Sequence, residues 1–163
     1  MTVELITRYV RLLVGFVLLW AGMYVYNNYG CRKLEGTEME PELARDNFRW
    51  VYPTVREPSQ LAYEDVVMYE YVIPGRAQQT VGARVMGLPG DLIKIVKGKV
   101  HRNGQLLVSN FVLPANESQE DFEEIIVPRD SVFVLCDNRG TYKNSDSRGI
   151  GPIASWAIVG KIK

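Results

Sequence analysis

Histidine is almost missing from this chain: His101 is its one occurrence in 163 residues. Cysteine is nearly as scarce, with Cys31 and Cys136 alone. Two cysteines cannot staple a small secreted scaffold, and one histidine with two cysteines is a poor zinc set. No metal or other cofactor is therefore expected, and both thiols are expected to be free. A Ser-His-Asp triad would have to use His101 as its base. Net charge is missing too, because 19 Lys and Arg face 19 Asp and Glu. A nucleic-acid binder needs a basic field to meet phosphates, so no nucleic-acid partner is expected. Repeats and low-complexity tracts do not occur. What the chain has is apolar substance, 47% hydrophobic against 23% charged, which excludes a disordered acidic polypeptide.

Charge is also absent locally. Residues 12–31 contain no Asp, Glu, Lys or Arg, and 12–26 are predominantly apolar. A bilayer core takes about 20 helical residues, and about 17 suffice. Tyr24, Tyr26 and Tyr29 suit an interfacial belt at one end. No small-x-small cleavage pattern follows the run, so residues 1–31 read as a short stub and a retained single-pass anchor rather than a removed signal peptide. Arg8 and Arg11 precede the run and Arg32 and Lys33 follow it, which leaves its orientation undecided by charge. Once Arg8, Arg11 and Glu4 are set aside, residues 32–163 carry 17 basic and 18 acidic side chains. That is a near-neutral domain large enough for its own core.

This second part reads as mainly β. Short apolar runs at 66–69, 83–86, 92–96, 99–102, 105–108, 131–135 and 158–162 alternate with turn signals, and no long 3.6-period segment appears. Asn103-Gly104 between two alternating runs is a strong hairpin signal, since both central residues must reach positive φ. Residues 116–124 hold five acids and read as a solvated loop or short helix.

Several boxes stand out within this pattern. The first is Gly36-Thr37-Glu38-Met39-Glu40-Pro41-Glu42-Leu43. The second is Arg84-Val85-Met86-Gly87-Leu88-Pro89-Gly90-Asp91. The third runs Cys136-Asp137-Asn138-Arg139, then Asn144-Ser145-Asp146-Ser147-Arg148. Glu64-Asp65-Val66-Val67 lies between the first two. In this order, after an N-terminal anchor, they resemble type I signal peptidases over essentially the whole chain. The resemblance implies an all-β fold of two antiparallel sheets with one transmembrane helix, held on the extracytoplasmic face of a cell membrane. It also implies proteolysis of signal peptides by a serine nucleophile and a neutral lysine base. A serine hydroxyl needs such a base, and a lysine can serve only if burial lowers its pKa.

Both catalytic positions depart from the family pattern. The serine would stand at Glu38 and the lysine at Ala83. A carboxylate attacking an amide would form a mixed anhydride that needs further catalysis, and Glu38 has no evident base beside it. Lys94, Lys97 and Lys99 read as solvated hairpin lysines, and His101 as an ordinary strand residue. The interval between Arg139 and Asp146 is longer than the common pattern. What persists is structural: Arg84, Gly87, Pro89, Gly90, Asp91, Asp137, Arg139, Asp146 and Arg148, with the Asp and Arg residues expected to pair. Gly36, Glu38, Met39, Pro41 and Ala83 are the candidate peptide cleft. A buried unpaired carboxylate is costly, so Glu38 is expected to be solvated, protonated or paired. The resemblance extends to signal-peptidase-like proteins of Gram-positive cocci that serve pilus assembly. It implies a membrane-anchored, inactive, chaperone-like factor whose partner is a pilin or other exported protein. The alternative is an active signal peptidase with divergent or altered catalytic residues.

Overall fold

The computed structural model describes residues 2–28, 30–33, 36–43, 48–52, 57–72, 78–108, 110–112 and 114–162. It opens with α1 (Thr2–Asn28). Within it, Val3–Tyr26 is long and apolar enough to cross a membrane, with a mean hydropathy of 1.6 and no burial against the rest of the chain. The helix begins earlier than the apolar run, so Arg8 and Arg11 ride on it.

Eleven strands follow among the described residues: β1 (Gly30–Lys33), β2 (Phe48–Tyr52), β3 (Val66–Val72), β4 (Gln78–Gly87), β5 (Leu92–Val96), β6 (Lys99–Arg102), β7 (Gln105–Leu106), β8 (Phe122–Ile126), β9 (Ser131–Leu135), β10 (Ile153–Ala154) and β11 (Ile158–Ile162). One short helix, α2 (Ser147–Ile150), stands between β9 and β10. The strands form a seven-stranded sheet in the order β1-β2-β11-β3-β4-β9-β10 and a four-stranded sheet in the order β7-β6-β5-β8. Every pair is antiparallel. The expected architecture of two antiparallel sheets and one N-terminal helix is therefore the one observed.

The larger sheet is covered on both faces, and strand periodicity explains how. Successive side chains point to opposite faces. Val67 and Tyr69 of β3 join Ala83, Val85, Val132, Val134 and Cys136 in one cluster. Val66 and Met68 of the same strand join Met39, Leu43, Val51 and Ile162 in another. A continuous apolar run such as 66–69 is what a strand buried on both faces requires.

The smaller sheet shows alternation instead. Ile93 and Ile95 of β5 are buried while Leu92, Lys94 and Val96 are exposed. Its turns use the expected chemistry, with φ of 47° at Lys97 and 74° at Gly98, and 53° at Asn103 and 80° at Gly104. Two-residue hairpins of this kind match the right-handed twist of their strands.

Two expectations change. The acidic segment is neither all loop nor a helix: its second half is β8, the edge strand beside β5. Phe122 and Ile125 pack toward the core of Val100, Val127 and Phe133, while Glu123 and Glu124 face solvent. Acids on the solvent side of an edge strand discourage further pairing, and five acids in a row of nine obscured Phe122 among them and Ile125 just after. The β1–β2 pair was not foreseen. Gly30-Cys31-Arg32-Lys33 has no strand signature, and its partner β2 lies beyond a fourteen-residue gap. Cys31 therefore stands in a strand rather than in the helix.

Candidate functional site

The first box is a succession of tight turns laced to the third. The Leu43 N–H bonds the Met39 carbonyl at 2.9 Å, and Glu40 that of Thr37 at 3.3 Å. Asn138 donates from its backbone to the Glu38 carbonyl at 2.9 Å and from Nδ2 to the Thr37 carbonyl at 3.4 Å. The Tyr142 hydroxyl accepts from the Thr37 N–H at 3.2 Å and lies 2.7 Å from its Oγ1. Asn116 Nδ2 holds the Glu40 carbonyl at 3.1 Å. This lacing fixes where the side chain of residue 38 points.

Glu38 is 7% exposed, so the carboxylate is not solvated. It folds back over Gly36, and a Cβ on that glycine would overlap its oxygens. Met39 turns the other way, into the core with Leu43, Val51, Val66 and Met68. Gly36 is partly exposed and Pro41 exposed. Of the candidate cleft residues, Met39 and Ala83 are thus walls of the core, and Gly36 and Pro41 are the ones that reach solvent.

Ala83 sits on β4 opposite Val67 and is fully buried among Val67, Tyr69, Val85 and Cys136. Tyr69 and Cys136 connect the two vacated positions. Both pack in the cluster around Ala83, and both feel the charge of Glu38. Burial pushes the Tyr69 phenol up from its ordinary range, and Cys136, Asp146, Tyr71 and Glu38 add to the rise. Burial likewise pushes the Cys136 thiol well up, reinforced by Asp146 and Glu38. Neither is a base or a thiolate at neutral pH. Cys136 is a free, buried thiol, as expected. The Tyr69 hydroxyl is occupied in donating to the Ser145 carbonyl.

The expected Asp–Arg pairing is present in two cases. Arg84 donates from Nε and Nη2 to Asp137 at 3.0 and 2.6 Å, and reaches Glu42 at 2.5 Å. Burial opposes charge on Arg84, but the two carboxylates outweigh it and raise its pKa. Arg148 grips Asp146 through Nε at 3.0 Å and Nη2 at 2.8 Å. Asp146 also caps α2 through the Arg148 N–H and receives the N–H of Cys136, the residue after β9. Two-point guanidinium–carboxylate bonds fix geometry as well as charge.

Asp91 departs from the pairing pattern. Its carboxylate receives the Leu88 N–H at 2.8 Å, the Tyr63 hydroxyl at 2.7 Å and Asn103 Nδ2 at 2.8 Å. Burial would raise its pKa, and these three bonds bring it below the ordinary value. Gly90, at φ 87°, turns the chain here. Gly87 closes β4 against Ile93 and Phe133, and Pro89 is exposed. The second box is thus the joint between the two sheets. Arg139 also departs: it is 6% exposed, and no carboxylate among the described residues pairs with it.

Lys94, Lys97 and Lys99 are exposed, and His101 lies on β6 with Nδ1 3.2 Å from the Lys99 carbonyl. The residues that sequence reasoning passed over are Asn116, Asn138 and Tyr142, which hold the first box, and Tyr69. Tyr69 alone carried a signal, as an aromatic ending a continuous apolar β run.

Comparison with known proteins bears on this arrangement. The family described as signal peptidase, peptidase S26, matches residues 6–163. Signal peptidase I of Bacillus amyloliquefaciens is 33% identical over 141 residues, covering 80% of this chain and 71% of that one. Signal peptidase I of Bacillus licheniformis is 29% identical over 137 residues, covering 78% and 70%. A crystal structure of a signal peptidase I from Enterococcus faecalis aligns with a TM-score of 0.49 and 24% identity, over 63% of this chain and 97% of that one. With its family match running nearly end to end, the chain belongs to the signal peptidase family, peptidase S26.

Proposed function

We propose that this protein uses the family's fold for binding without cleavage. It would be a membrane-anchored, catalytically inactive, chaperone-like factor for exported subunits, pilins being the leading class. The N-terminal helix is its anchor, and the β domain faces the extracytoplasmic side, where such subunits emerge.

One observation carries this reading: where a serine–lysine dyad would stand, the chain has Glu38, 7% exposed, and Ala83, fully buried. Serine attack needs a nearby base, and the ionisable groups grouped around these positions, Tyr69 and Cys136, both keep their protons to high pH. The lysines that follow Ala83 most closely in sequence, Lys94, Lys97 and Lys99, are exposed on the smaller sheet. Arg84–Asp137 and Arg148–Asp146, which position the loops, are nevertheless complete.

Binding has a surface to work with. Tyr69 belongs both to the cluster around Ala83 and to the wall of an open groove of about 910 Å³ that includes Tyr71, Val72, Ile150 and Trp156. Trp156 is 87% exposed, the kind of rigid aromatic that anchors a partner. An extended segment of an exported chain could lay apolar side chains there while pairing its backbone at a strand edge.

The test measures cleavage. The full chain in detergent is incubated with a signal-peptide substrate, beside a Glu38→Ser/Ala83→Lys variant. The unmodified chain is expected to yield no product, and turnover by it overturns the proposal. Deletion of the gene is expected to abolish polymerised pili. Intact assembly in the deletion strain removes the pilin part of the reading.

A further inference from the structure

One strand of the larger sheet outruns its neighbour. On one side β3 pairs with β4 over its whole length, Val66–Val72. On the other it pairs with β11 only from Val66 to Tyr69. β11 begins at Ile158, and the 3-10 turn Ser155–Ala157 before it leaves the row. Among the described residues no strand lies on that side of Glu70, Tyr71 and Val72. The Val85 N–H bonds the Asp65 carbonyl at 2.9 Å, and residues of an antiparallel strand aim their backbone groups to alternate sides. Residues 67, 69 and 71 therefore face β4, and Glu70 and Val72 aim their N–H and C=O at the vacant row. Such an edge is a template for another strand.

The vacant row is also a space. The groove of about 910 Å³ takes its near wall from both faces of the sheet, with Tyr71 on one and Glu70 and Val72 on the other. Ile150 at the end of α2 and Trp156 on the 3-10 turn belong to its remaining wall. A groove open to both faces at the end of a strand has the shape of a missing strand.

Its walls also select side chains. On the Tyr71 face the groove meets the cluster of Tyr69, Ile153 and Ile158, which suits an apolar residue. On the other face Glu70 accepts from Gln78 Nε2. Glu70 is the one acid in the described wall, which holds no lysine or arginine. Opposite charges on facing residues of paired strands attract, so a basic residue is favoured opposite Glu70. Successive residues of an extended guest point to opposite faces, and the matching guest alternates apolar and basic residues.

We propose that the row beside Glu70–Val72 receives an extended segment of an exported subunit as an added strand in line with β11. Its apolar side chains lie toward Tyr71 and a lysine or arginine stands opposite Glu70. The proposal rests on the reading of binding without cleavage and names the class of segment bound. The row lies on the far side of β3 from β4, the strand that carries Ala83.

The experiment titrates the full chain in an uncharged detergent with an acetylated, amidated heptapeptide that alternates valine and lysine. A peptide alternating valine and glutamate is the comparison. The lysine peptide is expected to bind saturably and about tenfold more tightly. Glu70→Gln is expected to cut that preference to about threefold or less, and Trp156→Ala, at an 87% exposed position, to weaken binding about fivefold. Methylating the backbone nitrogens of the lysines, which would bond Glu70 and Val72, is expected to abolish binding. Methylating those of the valines, which point away from β3, is expected to spare it. No saturable binding overturns the proposal, as does binding that survives methylation at the lysines. A chain that is dimeric in detergent and dissociates as the peptide binds assigns the row to a second copy and overturns it too. Cleavage of the bound peptide removes the reading of binding without cleavage and leaves the added strand standing. Intact peptide bound equally by the unmodified chain, Glu70→Gln and Trp156→Ala does the reverse.

Discussion

The two sheets hold together by opposite means. The smaller one is built from neighbours in sequence: β5, β6 and β7 follow one another through two-residue turns, and their register is set by Lys97-Gly98 and Asn103-Gly104. The larger one interleaves distant segments, so that β11 lies between β2 and β3, and β9 beside β4. Its fixed points are buried ionic groups, Arg84 with Asp137 across 53 residues and Asp146 with the backbone of Cys136 just past β9. Local assembly leaves its marks in short patterns. Long-range assembly leaves them in isolated charged residues whose partners a linear reading can pair but cannot place.

The comparison breaks most visibly at Arg84. Replacing it with Met strands Asp137 in the core, and the full chain is expected to lose about 3–5 kcal/mol in chemical unfolding. Arg84→Met/Asp137→Leu should recover most of that loss, since the cost lies in the uncompensated charge. Recovery of nothing would mean that the pair's geometry, rather than its charge, holds the larger sheet.

A smaller effect belongs to the smaller sheet. Asn103 has φ 53° and bonds both the Leu92 N–H and Asp91 through its side chain. Asn103→Ala removes these bonds and replaces a residue that tolerates positive φ with one that adopts it less readily, for an expected loss of about 1–2 kcal/mol. Hydrogen exchange should show the loss concentrated in 92–106, with the larger sheet still protected.

The joint between the sheets gives the smallest effect. Asp91 in the folded chain releases its proton below the ordinary aspartate value. Between the two values the unfolded chain binds more protons, so stability rises with pH there and is lost as pH falls through the folded value. Asp137 and Asp146 act in the opposite sense, because burial raises them despite their arginines. Asp91→Asn should therefore reduce the slope of stability against pH in the acid range by at most about one proton. An unchanged slope would remove Asp91 from the acid sensitivity of the joint.

Legibility in the sequence follows the same division. The strands of the smaller sheet are readable from alternation and turn residues, except β8, whose acids masked Phe122 and Ile125. The buried runs of β3, β4 and β9 are readable as strands, but nothing in them announces the order in which they pair. The site was legible through the boxes: Glu38 follows from its place within the first, and Ala83 from its place directly before the second. Asn116, Asn138 and Tyr142 were not legible, since an amide or phenol in a loop has no pattern of its own, and its partner Thr37 is 105 residues away from Tyr142. Arg139 was expected to pair, and its lack of a carboxylate partner is visible only once Asp137 and Asp146 are seen to be taken.

Asp146 has one more consequence. By capping α2, gripping Arg148 and receiving the Cys136 N–H, it fastens the far end of the 137–145 segment to the strand from which that segment departs. The segment is a handle fixed at both ends. Between its ends the segment also carries Tyr142, whose hydroxyl holds Thr37 of the first box. Residues inserted between Gly140 and Lys143 would therefore shift the grip on the first box first, while the fastening at Cys136 and Asp146 stays in place.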